Sequence, residues 1–211
     1  DTLTVGDYAR GYGDAGDDAM TVAGLNAAGF GGEGNDSLSM TGQSDSLYGD
    51  AGNDTLAGSS VNGQMFGGLG DDSLSAGANP ASLFGDSGAD TLAAGSGASR
   101  LYGGLDNDSL AGGSGGSSLY GDDGDDTLAS GDGATLAFGG AGADILRGGL
   151  GQESLYGDDG TDTLTAGSGG NQLYGGAGGD SLVGGSGNAS LFGDDGNDTI
   201  QAGSGANLAF A

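Results

Sequence analysis

Leu119-Tyr120-Gly121-Asp122-Asp123-Gly124-Asp125-Asp126-Thr127-Leu128 decides the fold, because it recurs at a fixed step. Close copies run from Leu47 to Leu56, Leu83 to Leu92, Leu155 to Leu164 and Leu191 to Ile200. Looser copies run from Leu101 to Leu110 and from Leu173 to Leu182. Each copy starts 18 residues after the one before, or a multiple of that, and a period of this size marks one turn of a solenoid. Residues 1–11 fall out of this frame, which then holds from Gly11 to Ala211. Each period divides into two nonapeptides, a complete one such as Gly103–Ala111 and a degenerate one such as Gly112–Tyr120. Both carry Leu at the eighth place, and the complete one alone carries Asp at the sixth.

Elementary stereochemistry turns this unit into a coil. The Gly-rich first part reverses the chain, because Gly reaches positive φ without steric cost. The last three residues are predicted to form a short strand whose side chains alternate faces, with the eighth-place residue inward. Two turns and two strands make one coil, and stacked coils pair equivalent strands about 4.8 Å apart. The expected fold is an all-β parallel β-roll, a β-solenoid of 18 residues per coil. It has about 11–12 coils, forms a single unit over residues 1–211 and is a rod about 55 Å long. The unfinished repeats at both ends suggest a segment of a longer array, or subunits that stack end to end. The inner columns run from Met20 to Ile200 in the complete half and from Gly29 to Ala209 in the degenerate half. The first coils, with Met20 and Gly29, are expected to pack loosest. At Ala137 and Ala209 the Leu is expected to slip back one place, to Leu136 and Leu208.

Composition removes several functions. Thirty acidic against three basic residues give a formal charge of −27, which disfavours nucleic acid and anionic membranes and favours bound cations. Without Cys or His, thiolate and imidazole ligands and the commonest general base are missing. No apolar run is long enough to span a bilayer. Neither a nucleophile nor an acid–base pair stands apart from the repeat, so no enzyme activity is expected.

Two columns carry chemistry. The sixth places of the complete half are Asp18, Asp36, Asp54, Asp72, Asp90, Asp108, Asp126, Asp144, Asp162, Asp180 and Asp198. Carboxylates stacked about 5 Å apart repel unless a cation separates them. Ca²⁺ suits the place best, since it takes six to eight oxygens and accepts the carbonyls of a Gly-rich turn. The second place alternates Gly with Asp14, Asp50, Asp86, Asp122, Asp158 and Asp194, which read as ligands or as solvated turn residues. Asp106, in place of the usual fourth-place Gly, is expected to distort one site.

The other column is aromatic. Tyr48, Phe66, Phe84, Tyr102, Tyr120, Phe138, Tyr156, Tyr174, Phe192 and Phe210, preceded by Tyr12 and Phe30, follow the inward residue and so point outward. They should stack, shield the strands and offer an interface. Sugar stacking there is expected to lack regular polar neighbours.

Gly31-Gly32-Glu33-Gly34-Asn35-Asp36-Ser37-Leu38 and Gly139-Gly140-Ala141-Gly142-Ala143-Asp144-Ile145-Leu146 resemble the RTX, or haemolysin-type, calcium-binding repeat G-G-x-G-x-D-x-U-x. The resemblance covers almost the whole chain. It implies a parallel β-roll, calcium in the turns and folding after export by type I secretion. One departure is clear. The degenerate half has Ala27, Asp45, Gly63, Ala81, Ser99, Ser117, Thr135, Glu153, Asn171, Ala189 and Asn207 at its sixth place, and two isolated acids cannot form a row. Calcium is therefore expected along one edge only, one ion per gap between coils. Ten Ca²⁺ carry +20 against −27, leaving −7.

The functional expectation is a secreted structural roll that folds on Ca²⁺ and joins an extracellular assembly, such as an adhesin stalk, surface layer or filament. Its assembly would be homo-oligomeric, end to end or through the aromatic stripe, with no nucleic acid and no membrane insertion. The alternatives are an accessory module of a secreted enzyme and, on the Thr/Ser column from Ser37 to Thr199, an ice-binding module.

Overall fold

The computed structural model describes residues 1–211 and contains no helix. Its 24 strands form two parallel sheets of 12 strands each, with odd-numbered strands in one and even-numbered strands in the other, so the chain alternates between sheets. The result is a β-solenoid of about 12 turns, as the repeat implies.

The two sheets are unequal. The complete half supplies a narrow sheet of three- and four-residue strands such as Thr127–Ala129. The degenerate half supplies a wide sheet of six- to eight-residue strands such as Ser118–Asp123, shortening to Leu208–Phe210 at the end. A three-residue strand was expected in both. The wide strands run on into the Gly-Asp of the next turn because those residues pair between coils, as Asp122 does with Gly140. Only residues 124–126 then separate Asp123 from Thr127, which makes the acidic turn tight.

A thin core lies between the sheets. The inner Leu of successive coils align in register, as Leu92 does with Leu110 and Leu128. Twenty-seven buried apolar residues form one continuous cluster along the axis. At Ala137 the Leu does not slip inward. Leu119, Ala137 and Leu155 stay in register, and Leu136 faces outward beside Ser118 and Ser154. A one-residue shift would turn the whole strand over, so the sheet keeps its register and accepts a smaller core residue. Leu208 is likewise outside and exposed. The first coils are closed rather than loose. A Cβ on Gly29 would lie 2.6 Å from Met20 Sδ and 2.9 Å from Val22 Cγ2, so those side chains occupy the space. An unbranched Met adapts readily to such a gap.

Candidate metal centre

All 11 sixth-place Asp side chains stand in one file along the tight edge, and those from Asp18 to Asp180 are buried. Each is held twice. Its Oδ1 accepts the backbone N–H of the Asp one coil earlier, at 2.7–2.8 Å from Asp18→Asp36 to Asp162→Asp180 and 3.0 Å at Asp180→Asp198. Its carbonyl accepts the N–H of the Thr, Ser or Ile that follows the next Asp, as Asp108 does from Thr127 at 2.8 Å. The second oxygen is left over. Oδ2 of ten of these residues, Asp18 through Asp180, is buried without any hydrogen-bond partner. A buried carboxylate oxygen with nothing to bond is costly, and a row of ten asks for a common partner.

The surroundings are built from oxygens. No three His, Cys, Asp or Glu side chains converge on one point, so the Asp column supplies one carboxylate per coil and the other ligands of any ion would be carbonyls. Asp126 Oδ2 and the carbonyl oxygen of Gly139 both press on the place where Gly121 would carry a Cβ. Those of Asp122 and Gly124 similarly crowd Gly140 and Gly142. Carbonyls from several turn positions therefore point along the axis into the gaps beside the column. An oxygen-only, partly anionic cradle matches the preference of a hard cation such as Ca²⁺.

Without a cation the column is electrostatically unfavourable. Burial, with stacked carboxylates adding to it, lifts Asp72, Asp108 and Asp144 from the ordinary 3.8 to about 7, against the opposing N–H bond. Asp54, Asp90, Asp126 and Asp162 rise to about 6 for the same main reason. Asp36 and Asp180 are raised too.

The second-place Asp are arranged differently. Asp14, Asp50, Asp86, Asp122, Asp158 and Asp194 are exposed on the outer rim, with φ between 67° and 76°. Gly occupies the alternate coils at φ 108–120°. The place demands positive φ, which Gly adopts freely and Asp tolerates better than most residues, so backbone geometry restricts it to residues of this kind. Asp106 takes φ 77° at the fourth place, and the bonds on either side of Asp108 stay at 2.7 Å. The expected distortion does not reach the column.

The structure adds two features to this column. Asp1 heads the same column, because its terminal amine bonds Asp18 Oδ1 and Thr2 pairs with Ala19. Asp1-Thr2-Leu3 resembles the Asp-Thr-Leu of the repeat in sequence, and the structure extends the column to it although its turn is one residue short. A second, opposite ladder occupies the fifth place. There Asp17, Asn35, Asn53, Asp71, Asn107 and Asp125 each accept the N–H of the next coil at 2.8–3.1 Å. The frequent Asn or Asp before the column Asp marked it.

The aromatic stripe forms an unbroken stack from Tyr12 to Phe210, with centroids 4.7–5.3 Å apart and planes within 14°. Ring faces meet along the axis, which leaves edges outward and no free face for a sugar between coils. Polar neighbours do exist, contrary to expectation. Gln64, Ser82, Arg100 and Ser118, paired coil to coil, lie two residues before their rings on the same face.

The profile of the RTX calcium-binding nonapeptide repeat matches residues 30–65 and, in overlapping windows, 84–209. A comparison with curated proteins finds no match. Among solved structures, the crystal structure of a hyperactive, Ca²⁺-dependent, β-helical antifreeze protein from an Antarctic bacterium superposes with a TM-score of 0.62 at 20% identity. The match covers 94% of this chain and 72% of that one, and at this identity it speaks for the fold. The profile adds the chemistry, since its windows follow one another across most of the solenoid in the frame that places the buried Asp column. The chain belongs to the RTX calcium-binding nonapeptide repeat family.

Proposed function

We propose that this calcium-binding roll holds a single row of Ca²⁺ along its acidic edge and works as a secreted structural element of an extracellular assembly. The carrying observation is the row of ten buried, partnerless Oδ2 atoms from Asp18 to Asp180. In this reading the sixth-place Asp and the turn carbonyls hold the ions, and the exposed second-place Asp form an outer anionic rim. A bound ion supplies positive charge between stacked carboxylates, which removes the penalty that keeps their pKa high. Binding to the folded coil alone makes folding depend on Ca²⁺. RTX repeats are typical of secreted proteins, and no helix here is long and apolar enough to cross a membrane. The outward ring edges from Tyr48 to Phe210 are the proposed contact surface for assembly.

Calorimetry and calcium-edge anomalous diffraction test the row. About ten ions per chain, all on the acidic edge, are expected. A count near 20, or ions along both edges, rejects the one-sided row. For the stripe, Tyr102→Ser with Tyr120→Ser should reduce assembly in light scattering, and unchanged assembly rejects the contact surface.

A further inference from the structure

The neutral edge changes its turn at one residue. In the first four coils, Tyr8, Asn26, Ser44 and Asn62 take φ of 51–57° at the fifth place of the degenerate half. Each donates its N–H to the next coil, the last to Pro80 O at 3.1 Å. Leu25, Gln43 and Val61 form bridges beside them. Pro80 stands next in that column, and its ring holds φ near −65°. The turn cannot be repeated, and in the following coils Ala98 and Gly116 are not at positive φ.

A cleft of about 500 Å³ lies across this seam. Its polar wall is Asn62, Gln64, Ser82, Arg100 and Ser118, with Pro80 at the rim. No carboxylate lines it, although the chain has 30 acidic residues. The chain's one ion pair joins Asp1 to Asp18, so the exposed Arg100 guanidinium has no internal partner. A guanidinium is a planar fork of donors suited to a carboxylate. The flanking amides and hydroxyls both donate and accept, which suits hydroxyl groups beside that carboxylate.

The geometry points to this cleft as a binding site for a carboxylate that carries neighbouring hydroxyls, the chemistry of a sugar acid. Arg100 takes the carboxylate, and Asn62, Gln64, Ser82 and Ser118 take the hydroxyls. The ring edges of Phe84 and Tyr102, two residues along the same strands, flank the site. It is separate from the acidic edge, where like charge repels such a ligand.

The test uses the full chain with Ca²⁺, titrated with glucuronate, a glucuronate-containing tetrasaccharide, glucose and sodium sulfate, and followed by amide NMR shifts. Glucuronate, the tetrasaccharide or both should shift residues 62–64, 81–82, 98–100 and 116–118. A response to the tetrasaccharide alone identifies the polymer as the source, and an equal response to the monosaccharide identifies the free acid. Arg100→Gln should weaken binding at least about tenfold, while Arg147→Gln, on the opposite sheet, should leave it unchanged. Unchanged affinity in Arg100→Gln overturns the site. So do shifts centred on residues 121–126, an equal response to glucose, or binding of sulfate without either acidic sugar. The far-ultraviolet spectrum of each variant with Ca²⁺ confirms its fold.

Discussion

The two edges of the solenoid make the same connection with different chemistry. On the acidic edge, every coil from Asp18 to Asp180 bonds its sixth-place N–H to a carboxylate of the next coil. On the neutral edge the same link appears in only some gaps. Ala27 reaches Asp45 at 3.0 Å, Ala81 reaches Ser99, Ser99 reaches Ser117 at 3.4 Å, Glu153 reaches Asn171 and Ala189 reaches Asn207. The first place differs in parallel. It is Gly in all 11 coils of the acidic edge, from Gly13 to Gly193, because Oδ2 fills the space of a Cβ. On the neutral edge Val22, Met40, Ala76 and Ala166 sit there, buried in the core. One edge thus reserves room for charge in every coil, and the other fills the same place with apolar atoms in some coils and leaves it to Gly or Ser in others, as at Gly58, Gly112 and Ser130. On most coils of the neutral edge an uncharged residue occupies the sixth place, and the two buried acids there, Asp45 and Glu153, stand isolated from each other, so only the acidic edge stacks buried carboxylates in a continuous row that calls for cations.

The strongest way to break the contrast is to remove Ca²⁺. Chelation at pH 7 should abolish most of the β signal in circular dichroism, roughly millimolar Ca²⁺ should restore it, and equal Mg²⁺ should not. A fold that survives chelation at pH 7 means that the acidic edge tolerates its charge unaided.

Acid should substitute in part for the ion. Folded carboxyls at about 6 to 7 lie above the ordinary 3.8, so between pH 4 and 7 the metal-free fold holds more protons than the open chain. Its stability is greatest below that window and is lost as pH rises through it. Denaturation in chelator should show a midpoint that falls from pH 4 to pH 7. With saturating Ca²⁺ this trend should reverse.

Single substitutions separate bond from charge. Asp126→Ala leaves the Asp108 N–H unpaired, should cost about 1–3 kcal/mol in Ca²⁺ and should lower the ion count. Ser117→Ala on the neutral edge should cost about 1 kcal/mol or less. Asp126→Asn keeps an acceptor and removes the charge. It should raise the melting temperature in chelator at about pH 6, where the metal-free fold still holds protons, while still lowering the ion count in calorimetry.

Glycine substitutions probe the reserved space. Gly121→Ala drives a Cβ into Asp126 Oδ2 and Gly139 O and should cost about 2 kcal/mol in urea denaturation. Gly170→Ala, whose nearest neighbour would be 3.5 Å away, should change stability by less than about 0.5 kcal/mol. Equal effects would erase the difference between the edges.

The 18-residue period, the inward Leu columns, the Asp file and the aromatic column are each visible in residues such as Leu119, Tyr120 and Asp126, because a solenoid stacks each coil on its own copy. Periodicity then carries nearly all the information about long-range contacts. What escaped were features where neighbouring coils differ or one place has two demands. Leu136 could be read as entering the core until the pairing of Leu119 with Ala137 kept it out. Arg100 counts in the sequence only as one of three basic residues, and the cleft it lines becomes visible where the turn changes at Pro80.

The sequence by itself determined the coil length, the facing of each column and the placement of acid on one edge, since these follow from spacing and side-chain alternation. The tertiary structure alone decided that one oxygen of each column carboxylate is consumed by the preceding coil and that, from Asp18 to Asp180, the other is left buried and unpaired. It also decided that the rings meet face to face and that the sheets are unequal. The physical reason is that these facts depend on hydrogen-bond direction and close packing between coils, which composition and period leave open.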